Sequence, residues 1–569
     1  MRSLTIRTLA CLSPVLFSIT QSLAQSAHGA ITFTWGDEYE LPRKHEDMGF
    51  LGNAKTGYVQ IGHRSHESLT FQKFSPDLHL AGEKEVDLSQ MPRDYTTENL
   101  EQIGDRYYWF FSTYDKGEDK ESLFAQEISI ENGDVKSSAR EILSTDKLSG
   151  TLTMTGFYRF GLTDKWNFYN SFDHSKILVQ YRKKPERRDD SRNNDIIGFQ
   201  VFDSDLKKLW GREIRMPYTE EMMDNEDYQV DAKGNVYTLA KVYQERKSHD
   251  RKRPNYRYEI LKWSADKQEV TKIPFRFSDR FVTAASIIED GQGNIIVAGY
   301  YSGRGTGSGA TVASNLVSAN VSGGLFYNGA RGADADGAFL LKLDENTNEV
   351  TSLRKGTYEF SAEVLKQYES RRKRRKIDRK EEKDNAEADN LHLRKVLVND
   401  DGSIELYGEE DYIVVSQTTN FSSTGMGSTR TSVTYYFEDI IAMKINADGS
   451  LKWTVKIPKQ QQGKQGTGGM SFKQYSFKGN SYLFFMDNLK NLEIEKDETP
   501  ATHIDGAGGI LMAVKIDENG KATKEQLYDV REEKVNLTVT DFDEVGNNQL
   551  IVRGRARHRE SKAALITFN

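Results

Sequence analysis

Short apolar runs alternate with polar turns rich in Asp, Asn and Gly from about residue 30 to the end of the chain. Two phrases take turns. In the first, an apolar strand carrying a lysine leads through a turn into a second strand: residues 439–445, the turn Asn446, Asp448 and Gly449, then 451–453 ending in Trp453. Related copies lie at 339–344, 511–520, 260–263 and 71–77, with weaker ones at 124–133, 199–210 and 563–568. In the second phrase a polar turn leads into a strongly apolar strand. Its turns are Asp231/Gly234, Asp290/Gly293, Asp400/Gly402 and Asp543/Gly546, with further copies at 57–62, 106–114, 176–181 and 481–487. Asp and Asn bond their own nearby backbone, and Gly tolerates the positive backbone angle of a tight turn. The flanking runs are β-branched and aromatic, as strands are.

Each pair of phrases makes four strands, and there are eight pairs. Spare length falls only at alternate connections, which places the insertions on one face of a repeat array. The pattern predicts an all-β fold: an eight-bladed β-propeller of four-stranded blades, with seven blades as the alternative count. The blades cover approximately 44–92, 95–145, 165–217, 225–276, 283–358, 390–458, 469–529 and 534–569 within one domain, 25–569. The last blade lacks a fourth strand. Residues 30–42, with Trp35 and Pro42, resemble the strand around Trp210 and Pro217. They are expected to complete that blade and remove an exposed sheet edge. A Gly-rich loop insertion is expected over 302–337 and a charged helical insertion over 360–389.

Composition narrows the setting. Hydrophobic residues make up 37% of the 569 and charged residues 29%, which excludes a polytopic membrane protein; no transmembrane segment is expected. Aromatics at 11% supply enough burial area to exclude wholesale disorder. Residues 1–24 have a signal-peptide pattern: Arg2 and Arg7, an apolar core, then Ser22-Leu23-Ala24 as a small-x-small cleavage site. The chain is therefore expected outside the cytoplasm: periplasmic, outer-membrane-associated or extracellular. The single cysteine, Cys11, lies in this segment, so the mature chain is expected to lack disulfides, thiolate metal sites and a cysteine nucleophile.

The phrase ending Asp448-Gly449-Ser450-Leu451-Lys452-Trp453 resembles the blade signature of tryptophan-docking, quinoprotein-like eight-bladed propellers and the repeats of secreted bacterial β-propeller proteins. In the former a Trp packs between blades, and Trp35, Trp210 and Trp453 occupy comparable places. That group holds both quinone-dependent dehydrogenases and non-enzymatic envelope scaffolds. The dehydrogenases carry a vicinal cysteine pair beside the quinone, which this mature chain lacks, so no cofactor is expected.

Candidate chemistry is sparse. His63, His66 and His558 would share the loop face and are weak candidates for a metal site. The Gly-rich stretch lacks the Lys-Ser/Thr and helix of a phosphate-binding loop, and reads better as a lid or partner-binding loop; Asp334 and Asp336 read as a turn. Basic residues gather on the same face: Arg187 and Arg188, then Arg251, Lys252 and Arg253, then Arg371, Arg372, Arg374 and Arg375 in the helical insertion. On a chain of net charge −7, such a patch would attract an anionic glycan or an acidic protein surface. Nucleic acid is not expected as a partner. Tyr181, Tyr243 and Tyr301 end apolar strands and are candidates to stack on a ligand at the channel mouth, the alternative being packing within the blades. The expected function is a non-enzymatic envelope scaffold binding a protein or glycan through the loop face. The alternative is a glycan-active hydrolase or lyase, recognised by carboxylates converging beside a pocket at the channel mouth.

Overall fold

The computed structural model describes residues 25–569 apart from 29, 65–67, 90, 92–94, 157–158, 164, 186–189, 245–252, 276, 278–279, 304–332, 383–385, 422–426, 465–467 and 558. The expected signal peptide lies outside the described residues. No described helix is long and apolar enough to cross a membrane.

The chain is all-β. Eight sheets of four or more strands follow one another along the described residues: 45–87, 96–146, 166–219, 223–275, 281–359, 388–463, 473–529 and 543–568, here called sheets one to eight. A two-stranded hairpin lies between sheets two and three. Among the described residues neighbouring strands are antiparallel except for a short parallel pairing of Gln461–Gly463 with His503–Ile504 at the margin of sheet six. Sheet eight takes strands from both ends of the chain. Ile31–Glu40 pairs with Glu560–Phe568, Phe33 facing Ile566 and Trp35 facing Ala564, as expected from the sequence. Gln25–His28 adds an outer edge strand.

Side chains alternate between the two faces of a strand, so a continuous apolar run feeds two cores at once. On Arg106–Asp115, Tyr108 and Phe110 face sheet three, while Trp109 and Phe111 face sheet one. On Ile295–Ser302, Ile296, Ala298 and Tyr300 face sheet six, while Ile295, Val297 and Tyr301 face sheet four. Among the described residues eight apolar clusters are built this way, each between two neighbouring sheets. One of them joins sheet eight to sheet one through Ile551, Leu565, Phe50 and Phe74. Two of the repeated tryptophans reach the following sheet. Trp210 Nε1 donates to the Gly234 carbonyl at 2.7 Å, and the turn at Gly520 lies so close to Trp453 that a Cβ there would come within 2.7 Å of its ring.

The turns follow their local chemistry. Asp290 Oδ1 accepts from the backbone N–H groups of Gln292 and Asn294 at 2.9 and 2.8 Å, and Gly293 takes φ +82°. Asp231 and Gly234 repeat the arrangement one sheet earlier. The first strand of five sheets also carries a β-bulge, at Asp47/Gly49, Thr97/Asn99, Asn225/Asp227, Val282/Ala284 and Leu393/Lys395. Bulges re-aim the side chains that follow them and are frequent beside functional sites.

The helical insertion is shorter than expected. It consists of Ala362–Leu365 and Arg371–Glu381, each capped by a serine, Ser361 and Ser370, and joined through Tyr368 at φ +60°. Residues from Ala388 onward are already strand. At the end of the Gly-rich stretch the expected loop gives way to strand: Ala333–Ala335 pairs with Ala388–Val398, and Gly337 opens the strand Gly337–Asp344.

Candidate functional site

A cleft of about 520 Å³ opens where the first strands of sheets one and eight meet, His45–Asn53 and Asp543–Val545. Its polar wall holds His45, Asp47, Asp541, Asp543, Arg553 and Arg555. The bulge in sheet one falls between Asp47 and Gly49, both of which line the opening.

Asp47 sits in a fixed frame. Arg553 Nε lies 2.6 Å from its Oδ2, and Gln60 Nε2 donates to its Oδ1 at 3.0 Å while Gln60 Oε1 accepts from the Tyr39 hydroxyl at 2.6 Å. His45 Nε2 stands 3.9 Å from the same carboxylate, and its Nδ1 is 3.0 Å from Thr70 Oγ1. The His45 ring lies over Gly62 and leaves no room there for a Cβ. Burial alone would raise the Asp47 pKa, but His45, Arg553 and Gln60 outweigh it and hold the carboxyl below its usual value.

Asp543 is driven the other way. Burial pushes its pKa up to about 7, against a hydrogen bond from the Phe50 N–H at 2.7 Å. Gly49 is the residue that lets it in, with φ +129° and room for a Cβ only 3.0 Å from Asp543 Oδ2. The pKa of Asp541 is also raised, by the protein around it and by the charge of Asp47. Its side chain touches water, but the wall it stands in is concave. The cleft therefore holds an ionised carboxylate and a carboxyl that takes up a proton near neutrality, the split that acid/base chemistry uses.

A second dense group of charges is internal. Lys456 Nζ lies 2.7 Å from Glu369 and 2.9 Å from Asp439, and Lys373 Nζ lies 2.7 Å from Glu369 and 3.2 Å from Glu410. Burial raises the Glu410 pKa; for both lysines the surrounding carboxylates outweigh burial and keep the ammonium charged. Glu369, Glu410 and Asp439 stand close enough to share a cation, as do Asp334, Glu387 and Asp389. In each group lysines supply it, Lys456 and Lys373 in the first, Lys380 and Lys376 in the second. These contacts anchor the helical insertion to sheet six.

The residues singled out from the sequence do not gather at one site. Arg187, Arg188, Arg251, Lys252, His66 and His558 lie outside the described residues, and Arg253 is exposed. Tyr181 and Tyr301 are 1% and 0% exposed, inside the cores between sheets, so their rings cannot be offered to a ligand. Tyr243 is half-buried and donates to Asp224 Oδ2 at 2.6 Å. His63 is buried, its Nε2 engaged with Thr97 and its Nδ1 3.0 Å from the Tyr95 hydroxyl, which leaves neither ring nitrogen for a metal. Asp336 bonds the Gly303 N–H at 2.7 Å, closing the base of the Gly-rich stretch. Arg374 is spent on the carbonyls of Glu369 and Asp497, whereas Arg371, Arg372 and Arg375 point to solvent. The sequence reasoning missed the cleft. Two acids, Asp541 and Asp543, bracketing a buried phenylalanine were the available signal.

No family model matches the chain, and no curated protein matches it. Among solved structures it is similar to a prolyl endopeptidase, at 9% identity and TM-score 0.35 over 94% of this chain and 54% of that one. The chain thus spans about half the length of that enzyme. It is also similar to an ulvan lyase, at 9% identity and TM-score 0.37 over 82% of this chain and 94% of that one. An oligogalacturonate lyase in complex with manganese gives 9% identity and TM-score 0.33 over 94% and 98%.

Proposed function

We propose that the chain is an exported eight-bladed β-propeller and a glycan-active hydrolase working at the cleft between sheets one and eight. The ring is supported by eight apolar clusters between consecutive sheets and by the strand Ile31–Glu40 completing sheet eight. The observation that carries the activity is the pairing of Asp543, pushed up to about 7, with Asp47, held ionised, in one concave wall. In this reading Asp543 donates a proton to the leaving oxygen and Asp47 acts as base or charge stabiliser, oriented by Arg553. Arg555 and Lys44, both exposed at the rim, recognise acidic groups on the sugar.

The test is release of reducing ends from a panel of neutral and acidic polysaccharides. Product with the wild type and at least a hundredfold loss for both Asp543→Asn and Asp47→Asn support the proposal. Absence of product across the panel overturns it in favour of a second reading, a non-enzymatic scaffold. One observation favours that reading: Asp227 makes a similar cross-sheet contact between sheets four and five, accepting from Ser286 Oγ at 2.7 Å and the Ile287 N–H at 2.9 Å. Burial raises its pKa too, to about 6. Carboxylates of this kind staple neighbouring sheets, and Asp543 in the scaffold reading is one more staple.

A further inference from the structure

The helix Arg371–Glu381 sorts its cations by face. At 3.6 residues per turn, Arg371, Arg372, Arg375 and Arg379 fall within an arc of about 100°. All four are exposed, and among the described residues none has an ion pair. The one side-chain contact found in this set is within the helix, from Arg379 Nε to the Arg375 carbonyl at 3.1 Å. The opposite side is fully committed. Ile377 is buried, Lys373 bonds Glu369 and Glu410, Lys376 bonds Asp389, and Lys380 bonds Glu387 and Asp389. Arg374 holds the Glu369 and Asp497 carbonyls. Thus every lysine of the helix has a carboxylate partner within the protein, including Lys376, which is exposed, and the exposed cations without an ion pair are all arginines. Two acids border or share the outer arc. Asp378 is taken by Lys366 Nζ at 2.9 Å, and Glu382 at the C-cap is exposed.

We propose that this arginine face is a docking surface for a linear acidic polysaccharide bearing sulfate or uronate groups. Guanidinium groups bind such oxyanions in a bidentate manner that ammonium groups cannot reproduce. The inward anchors hold the array fixed, so ordering it on binding costs little. Arg371 and Arg379 are separated by about 12 Å along the axis, which suits successive charges on a chain rather than one small anion. The arc bears no apolar or aromatic side chain. Arginine hot spots at protein interfaces are accompanied by aromatic ones in well-packed pockets, and no aromatic stands here; a membrane-surface helix needs an apolar face to insert, and the single apolar residue, Ile377, is turned inward. The surface is separate from the cleft and does not depend on any reaction there.

The probe is fluorescently labelled heparin, titrated against the full mature chain over a range of salt. The Arg371→Gln/Arg372→Gln/Arg375→Gln/Arg379→Gln variant is expected to bind at least tenfold more weakly. Its salt slope should fall by roughly three, at about 0.7 for each ion pair lost. Glu382→Gln should bind more tightly than wild type. A control that removes four exposed lysines elsewhere, Lys55, Lys207, Lys208 and Lys267, should change affinity less than twofold. Unchanged binding in the arginine variant, or an equal loss in the lysine control, overturns the proposal. Tighter arginine-dependent binding of single-stranded DNA or of phosphatidylserine vesicles than of heparin overturns the assigned class.

Discussion

Phe50 donates its backbone N–H to the carboxylate of Asp543 at 2.7 Å, across 493 residues of sequence. The contact exists because Gly49, beside Phe50, leaves no Cβ in the way. Gly49→Ala is therefore expected to destabilise the fold by about 1–3 kcal/mol, from strain at φ +129° and crowding of a half-buried carboxylate. Urea unfolding of the variant is the check, and an unshifted midpoint would remove the close-approach argument.

Glu101 gives a pH signature. It is 9% exposed, accepts from Asn99 Nδ2 at 2.7 Å, and burial pushes its pKa up to about 7. Because the folded pKa is raised, the native state binds the proton across the window in which the unfolded chain has released it. Stability from this group is full below about pH 4.5 and is lost as pH rises toward 7, by about 3 kcal/mol at most. Glu101→Gln cannot titrate, so its stability relative to wild type should climb between pH 5 and 8. Parallel curves for the two proteins in that range would refute the assignment.

Lys456 is completely buried among Glu369, Glu410 and Asp439. Removing one partner of a buried ionic group leaves the others uncompensated, at a cost of about 3–5 kcal/mol. Lys456→Met should lower stability by that order and loosen the helical insertion first, seen as faster hydrogen exchange over 362–381 than in sheets one to four. Uniform exchange throughout would mean the lysine does not hold the insertion.

Trp35 is 4% exposed and packs edge-on to Phe33 and Tyr528 at 5.2 Å each. Trp35→Ala is expected to cost about 3–5 kcal/mol. Deleting residues 25–41 is harsher, because it bares the edge of Glu560–Phe568, an invitation to aggregate. Light scattering of the shortened chain should rise at concentrations where a chain of residues 25–569 is clear; a monodisperse, folded deletion product would contradict the strand pairing.

What could be read from residues alone was whatever is settled within a few positions. The Asp290–Asn294 and Asp231–Asn235 turns announce themselves because donor and acceptor are four residues apart. The strand around Trp35 could be matched to sheet eight because its repeat was one strand short. The cleft was hidden for the opposite reason. Nothing in the neighbourhood of Asp47 indicates that Arg553 will stand 2.6 Å away, and a glycine such as Gly49 looks like any other until its φ is known. The tyrosines misled because an aromatic at the end of an apolar strand suits a rim or a core equally well; Tyr181 and Tyr301 went to the core. The basic run at 371–376 was legible as a helix, but its division into spent and available cations depends on acids as distant as Glu410.

Ile31 lies opposite Phe568, and Glu40 opposite Glu560. A tether pulling on residues 25 and 569 would strip the edge strand Gln25–His28 and then bring its whole load to bear on the first of these pairs. The hydrogen bonds of the seam would part in succession, like a zip, instead of sharing the load in shear. Stretched between two beads, the molecule should thus yield at low force at this seam, with the other seven sheets still intact.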